Sequence, residues 1–348
     1  MPSPTRSLAA AAVSLLLVSA SACDPQPEAP PDAAELTTPD AAQPRIGTFA
    51  SGRRLNTNHV GNHFFSEFDL TGATHQDTRL VQVIYAGTTD VLTDSLHVVD
   101  GELRGVAADG TVLHHAHFDA TVWIMESDEI DPWGYPITVT TTLHVETGWD
   151  APSNTPLYTF SYETGTSEQE VYTCPLAGQG SELTAAVFDN LHVDEFSGAM
   201  SDRPNTLYIG CIAGATGKAA TWHYKPYQLQ ASYGLDLGLR LFEASVRMVR
   251  ADYCGDGQSW TQPGTPLYID DKLGANAAIP VAALWGQPMP VSEAVWGLNG
   301  ALCLDDPRVH GTVISCGNGA WLWPCWGGAA ALYADPNAGA WFRTASDP

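Results

Sequence analysis

The sequence predicts a mainly β protein, all-β or α+β, of antiparallel hairpins with one short helix and a disulfide-braced C-terminal body. Three observations carry this reading. Gly 32 and Pro 24 among 348 residues punctuate the chain too often for helix bundles. Runs of β-branched and aromatic residues alternate with turn signals over residues 46–165. Six of the seven cysteines lie beyond residue 170. With 44% hydrophobic residues and eleven Trp, the chain can bury a core large enough for one or two domains.

Residues 1–22 read as a lipoprotein signal peptide, with Arg6 as the positive region and Leu8 to Val18 as the apolar stretch. That stretch is shorter than the ~20 apolar residues needed to span a bilayer. Ala20-Ser21-Ala22-Cys23 resembles a bacterial lipobox, with Ala20 where Leu is usual, and makes Cys23 the expected lipidation site. The same small residues also suit plain secretion. Residues 23–45 form a Pro-rich tether, with Pro25, Pro27, Pro30, Pro31, Pro39 and Pro44 set among Ala, Asp and Glu. A lipid-anchored envelope protein is expected, on the inner or the outer membrane, held by acyl chains.

In the N-terminal β-rich region, 46–165, strands are expected at 80–85, 137–145 and 157–162. Asp100-Gly101 and Asp109-Gly110 signal two-residue turns and define a meander of 96–99, 102–107 and 112–118. On the third strand His115, His117 and Asp119 would share a face, with Arg104 opposite His115 and Glu102 opposite His117. The His-x-His-x-Asp spacing resembles the start of the metallo-β-lactamase motif but lacks its next His, because Ala120 stands there. A polar strand face is the favoured reading, with a bound metal ion as the alternative.

In the cysteine-containing body, 166–348, Leu235, Leu239, Phe242, Val246 and Val249 recur at helical spacing over 235–250. Arg247 and Arg250 suit its C-terminal dipole, and the glycines after Cys254 are expected to stop it. Cys254 would then tie the helix end to the sheet. A hairpin about Asn299-Gly300 would set Leu298 opposite Ala301 and Trp296 opposite Cys303, making Trp296 a core residue. Setting Cys23 aside leaves Cys174, Cys211, Cys254, Cys303, Cys316 and Cys325, an even set that implies up to three disulfides. A local Cys316–Cys325 loop is expected. No pair has zinc-knuckle spacing.

Arg247 through Gly257, then Ser259, Thr261 and Gly264-Thr265, resemble the signature of the ADYC-domain family of bacterial exported proteins and lipoproteins. Gly217-Lys218 through Tyr224-Lys225-Pro226, Glu293 through Trp296, Gly300 through Cys303, and Arg308 fit the same pattern. The specific likeness spans about residues 207–308, with a looser one reaching Asp109-Gly110. Cysteines of the family pattern near Ala219 and Ser245 are absent here. The resemblance implies export and architecture, but it supplies no activity and no catalytic residue.

Direct catalytic readings fail or stay bland. Gly257-Gln258-Ser259-Trp260-Thr261 lacks the last Gly of a nucleophile elbow, so Ser259 is expected to cap a turn with Asp256. Asp270-Asp271 and Asp305-Asp306 read as solvated turns rather than acid/base pairs. There is no phosphate-binding Gly loop and no dinucleotide fingerprint. Seven of the eleven Trp lie at or beyond Trp260. Trp321, Trp323 and Trp326 would make a flat platform for sugars or a partner protein if exposed, but burial is the expectation.

The expected role is therefore binding or structural, with no catalytic machinery and no cofactor beyond a possible metal ion. A hydrolase of envelope or extracellular polymer and a carbohydrate-binding protein are the alternatives. The formal charge of −24, from 15 Lys+Arg and 39 Asp+Glu, excludes nucleic acid and argues against electrostatic adhesion to anionic lipid. A glycan or an envelope protein is the expected partner, besides the membrane itself.

Overall fold

The structure, a computed structural model, describes residues 55–61, 63–131, 133–151, 153–164, 167–174, 183–261, 267–275, 291–317, 319, 321–326 and 328–346. The expected signal peptide, the tether and Cys23 lie outside these. So do Trp285 and Gly264-Thr265.

Strands β1 (His59–Val60) and β2 (His63–Phe64) form a short hairpin that leads into the main sheet. That sheet uses β3 (Glu67–Asp69), β4 (Thr78–Tyr85), β5 (Thr89–Val91), β9 (Thr121–Ile130), β10 (Pro136–Asp150), β11 (Thr155–Thr164), β12 (Ser167–Tyr172), β13 (Thr184–Val193) and β14 (Met200–Cys211). Its order is β3-β14-β13-β11-β10-β9-β4-β5, with β12 also pairing β11, and every pairing is antiparallel. A second, three-stranded sheet holds β6 (His97–Val99), β7 (Glu102–Val106) and β8 (Val112–His114). The third contains β15 (Leu267–Asp271), β16 (Val291–Gly297), β17 (Gly300–Leu304) and β18 (Phe342–Ser346), in the order β15-β18-β16-β17.

The helices among the described residues are α1 (Ala215–Thr221), α2 (Pro226–Tyr233), α3 (Leu235–Arg250) and α4 (Ala329–Ala334), three more than the one short helix expected. The chain is thus mainly β with antiparallel sheets. Residues 185–188 of β13 and 206–211 of β14 are buried on both faces. Ala185, Val187, Leu207 and Ile209 face one core with Trp123 and Phe160, whereas Ala186, Phe188 and Tyr208 face the helices. Alternation at period two produces this division. Helix α3 lies between the main and C-terminal sheets. Phe242 meets Phe188 at 5.5 Å on one side, and Tyr253, just past the helix, stacks on Trp296 at 5.2 Å on the other.

Helix α3 has the expected bounds, but its buried face is broader than the expected stripe. Leu241 and Met248 join Phe242, Val246 and Val249 inside, while Leu235 is exposed. Its terminator is Ala251 at φ 55° rather than a glycine. The expected boundary at 165 falls between β11 and β12, two paired strands of the main sheet. Among the described residues, no helix is long and apolar enough to cross a membrane.

Asp100-Gly101 makes the two-residue turn expected of it, with φ 54° and 85° and Val99 paired to Glu102. Asp109-Gly110 does not. Val106 pairs with Val112, and Ala107–Thr111 form a wider turn closed by Ala107 N to Thr111 O at 2.9 Å. The β16–β17 hairpin also shifts: Gly297 pairs with Gly300, Trp296 with Ala301 and Val295 with Cys303. The cause is tertiary, since Ala301 donates to the Tyr253 carbonyl at 2.8 Å and draws the hairpin onto the end of α3.

Candidate functional site

The expected histidine strand is a 3-10 helix, His115–Ala120, and its side chains do not share a face. The His117 ring folds back on the His114 backbone amide at 3.2 Å, a local bond that competes with strand pairing. His115 is buried with Nδ1 3.2 Å from the Tyr158 hydroxyl, and burial lowers its pKa from the ordinary value. Asp119 accepts the Thr147 amide. Arg104 lies opposite His114, not His115, and pairs with Glu102 at 3.6 Å. His115, His117 and Asp119 are thus engaged in holding the meander.

The expected polar turns are likewise occupied. Ser259 donates to the Arg250 carbonyl at 2.8 Å instead of capping with Asp256, whose carboxylate accepts the Gly317 amide at 2.9 Å. Asp270 pairs with Arg343 at 2.6 Å, and buried Asp271 accepts from Tyr224 at 3.0 Å. Asp306 pairs with His310 at 2.8 Å.

The signature residues converge on the C-terminus of α3, and they do so inside the protein. Arg308 is fully buried. It donates to the carbonyls of Val249 (2.8 Å) and Met248 (2.9 Å) and to Glu293 (3.0 Å). Those carbonyls are among the last of the helix, where positive charge is favoured. The Tyr253 hydroxyl donates to Glu293 at 2.8 Å and accepts the Arg308 amide at 2.8 Å. Burial and the Glu293 charge push the Tyr253 hydroxyl pKa well up, so it stays a donor. Asp252 accepts the amides of Asp256 and Gly257, and Gly255 has no room for a Cβ, which would overlap the Asn299 carbonyl. This is a buried brace.

The disulfides continue the brace. They are Cys174–Cys211, Cys254–Cys316 and Cys303–Cys325. The expected Cys316–Cys325 loop does not form. Cys254 ties the helix end to the segment after β17, not to a strand, and Cys325 returns that segment to β17.

Between these two anchors the chain presents Trp321 and Trp323, and directly after the second it presents Trp326; they are 74%, 60% and 77% exposed. Their expected burial does not occur. The Trp323 carbonyl accepts the Leu304 amide at 3.0 Å, which fixes the segment to β17. The Trp323 and Trp326 rings lie 6.2 Å apart and inclined by 58°, so they form a corner and not a flat platform. Trp326 has φ 46°, a left-handed conformation unfavourable for a bulky residue, next to the half-cystine Cys325. Trp296, by contrast, is buried and donates to the Thr344 hydroxyl at 2.9 Å.

A cavity of about 190 Å³ opens between the meander, β13 and α2, with Asp100, Asp189, Asp202, Tyr227 and Gln230 in its wall. Burial raises the pKa of Asp189, yet its oxygens are held by the Val98 amide and the Asn190 amide group. It fastens the meander to the main sheet.

One cluster was not visible in the sequence. Among the described residues, Glu67, His75 and His192 are the one group of ligand-type side chains whose donor atoms converge, all within 4.8 Å. Fully buried Glu67 contacts His75 through the same oxygen that meets His192 Nδ1 at 2.7 Å. His75 lies eight residues from Glu67, but His192 is 125 residues away, so no spacing motif marks all three.

These features define a class: an antiparallel β body with a helical layer and three disulfides, one in the main sheet and two bracing the region around a buried helix end. Within that class the chain belongs to the ADYC-domain family, whose pattern matches residues 115–310, more than half of the sequence. No curated protein and no solved structure matches the chain.

Proposed function

We propose that this chain is a lipid-anchored envelope protein that binds glycan through Trp321, Trp323 and Trp326. The observation that carries the reading is the exposure of three indoles within six residues on a segment fixed by two disulfides. Exposed aromatics cost solvation unless a partner covers them, and a rigid loop loses little entropy on binding. An indole face matches the C–H face of a pyranose, while the 58° corner suits one chain gripped from two sides rather than a flat crystalline surface. Cys23, the preceding small residues and the Pro-rich stretch support anchoring and display at a distance.

A glycan array probed with the full chain carrying Cys23→Ser tests this reading. Binding to soluble polysaccharide chains that is lost in Trp323→Ala/Trp326→Ala is the expected result. No glycan bound, or equal binding by the variant, refutes it.

A further inference from the structure

We propose that Glu67, His75 and His192 form a zinc site with one coordination position open to solvent. The proposal stands on the fold alone and is independent of the glycan reading. Strands β3 and β13, set on either side of β14, and the turn before β4 bring the groups together. Glu67 opens β3 opposite Tyr208 of β14, and His192 on β13 pairs with Ser201 of β14. His75 bridges to Thr78 at the start of β4.

The turn that delivers His75 is built at a cost. Gln76 and Asp77, directly after it, have φ 50° and 57°, two consecutive non-glycine residues in the left-handed region. Gln76 is locked there by Ser66, whose amide and hydroxyl donate to its side-chain oxygen at 2.8 and 3.0 Å. Ser66 immediately precedes Glu67, so the loop is fastened beside the carboxylate it serves.

The donor set fits zinc: two imidazole nitrogens and one carboxylate, the composition of open rather than closed zinc sites. Zinc–ligand bonds of about 2.0–2.1 Å require donors roughly 3.3 Å apart, within reach of atoms already inside 4.8 Å. The burial of Glu67 and the state of its second oxygen both point to a further cation at this carboxylate. Glu67 is 0% exposed, and its second oxygen, Oε2, is buried with no hydrogen-bond partner among the described residues. A buried carboxylate oxygen without a partner is costly, and a metal ion held by both Glu67 oxygens would satisfy it. The His75 and His192 side chains, 20% and 33% exposed, leave a solvent path for the fourth ligand.

Arg203 is the competitor. Its Nη1 lies 3.5 Å from Glu67 Oε1 and 2.8 and 3.2 Å from His75 Nδ1 and Nε2, and its Nη2 lies 3.7 Å from Asp69. At 35% exposed it is the most solvent-facing member, and Asp69 gives its guanidinium a second partner. Guanidinium and zinc therefore compete for one buried charge, and removing the former favours the latter.

The test uses the full chain without a His tag, stripped with chelator and titrated with zinc against a chromogenic chelator, with cobalt absorption reporting geometry. One zinc per chain with a tetrahedral cobalt spectrum is expected. His75→Ala and His192→Ala should each weaken binding by about 100-fold or more, by comparison with the losses seen even for outer-shell changes. Arg203→Gln should tighten it by roughly tenfold. His115→Ala/His117→Ala should change neither. Glu67→Gln, which keeps the shape and removes the charge, should also weaken binding and covers the case in which a histidine variant fails to fold. No saturable zinc, binding unmoved by the Glu67 and histidine variants, or weaker binding by Arg203→Gln would overturn the site.

Discussion

Arg308 has no water to share its charge with, so its stability rests on Glu293 and on the two helix carbonyls it caps. Truncating one partner of a buried pair strands the other, at about 3–5 kcal/mol. Arg308→Ala should therefore cost that much in a denaturant titration, with Glu293 left buried and charged. A loss below about 1 kcal/mol would show that the helix end is held by other contacts. Gly255 is a second residue of this kind, needing both φ 65° and the space of a missing Cβ against Asn299. Gly255→Ala should destabilise by more than about 2 kcal/mol in the same assay. Sequence reading placed Tyr253 and Arg308 in a family pattern, but it gave no sign that they touch. Their separation of 55 residues is closed only by tertiary packing.

At the scale of elements, the segment after β13 carries a measurable pH signature. Burial raises the Glu195 carboxyl pKa to about 7, against the lowering effect of a hydrogen bond from the Tyr208 hydroxyl at 3.0 Å. The folded chain keeps this proton over a window in which the unfolded chain has already lost it. Stability in the presence of chelator should thus fall as pH rises from about 4.5 to about 7. Glu195→Gln should flatten that part of a melting-temperature profile, and an unchanged slope would place the effect elsewhere. The elements themselves were unevenly legible. β4, β10, β11 and α3 announce themselves through composition and periodicity. The Asp109-Gly110 and Asn299-Gly300 turns mislead because the dipeptide marks a turn without fixing its length or its position. At 299–300 the Tyr253 carbonyl decides the register. His115–Ala120 departs from strand because the His117 ring satisfies the His114 amide locally.

At the scale of the molecule, disulfides join what the sheets leave separate. Cys254–Cys316 and Cys303–Cys325 run from helix end to tryptophan segment to β17, so reduction should loosen the segment before it unfolds the main sheet. Removing one native bridge typically costs about 2–5 kcal/mol, and Cys303→Ser/Cys325→Ser should show this together with weakened glycan binding. Retained binding in that variant would separate the indoles from their anchor. The even cysteine count made the bridges legible, while the pairing was not, because it follows from where β17 meets the segment after it. Exposure of the tryptophans was equally hidden: composition counts indoles, and only packing says which ones the core leaves out. The zinc ligands lie farther still from legibility, with His192 separated from Glu67 by 125 residues and joined to it only through β14.

A buried brace and an exposed tryptophan corner are separate parts of this molecule, and one paired measurement addresses that separation. Binding isotherms on a soluble polysaccharide and melting temperatures should be recorded for the Cys23→Ser chain with and without Trp321→Ala/Trp323→Ala/Trp326→Ala. The prediction is that binding disappears while the melting temperature stays within about 2 °C, since these side chains are mostly in water. Undiminished binding, or a melting temperature that drops with it, would contradict the account.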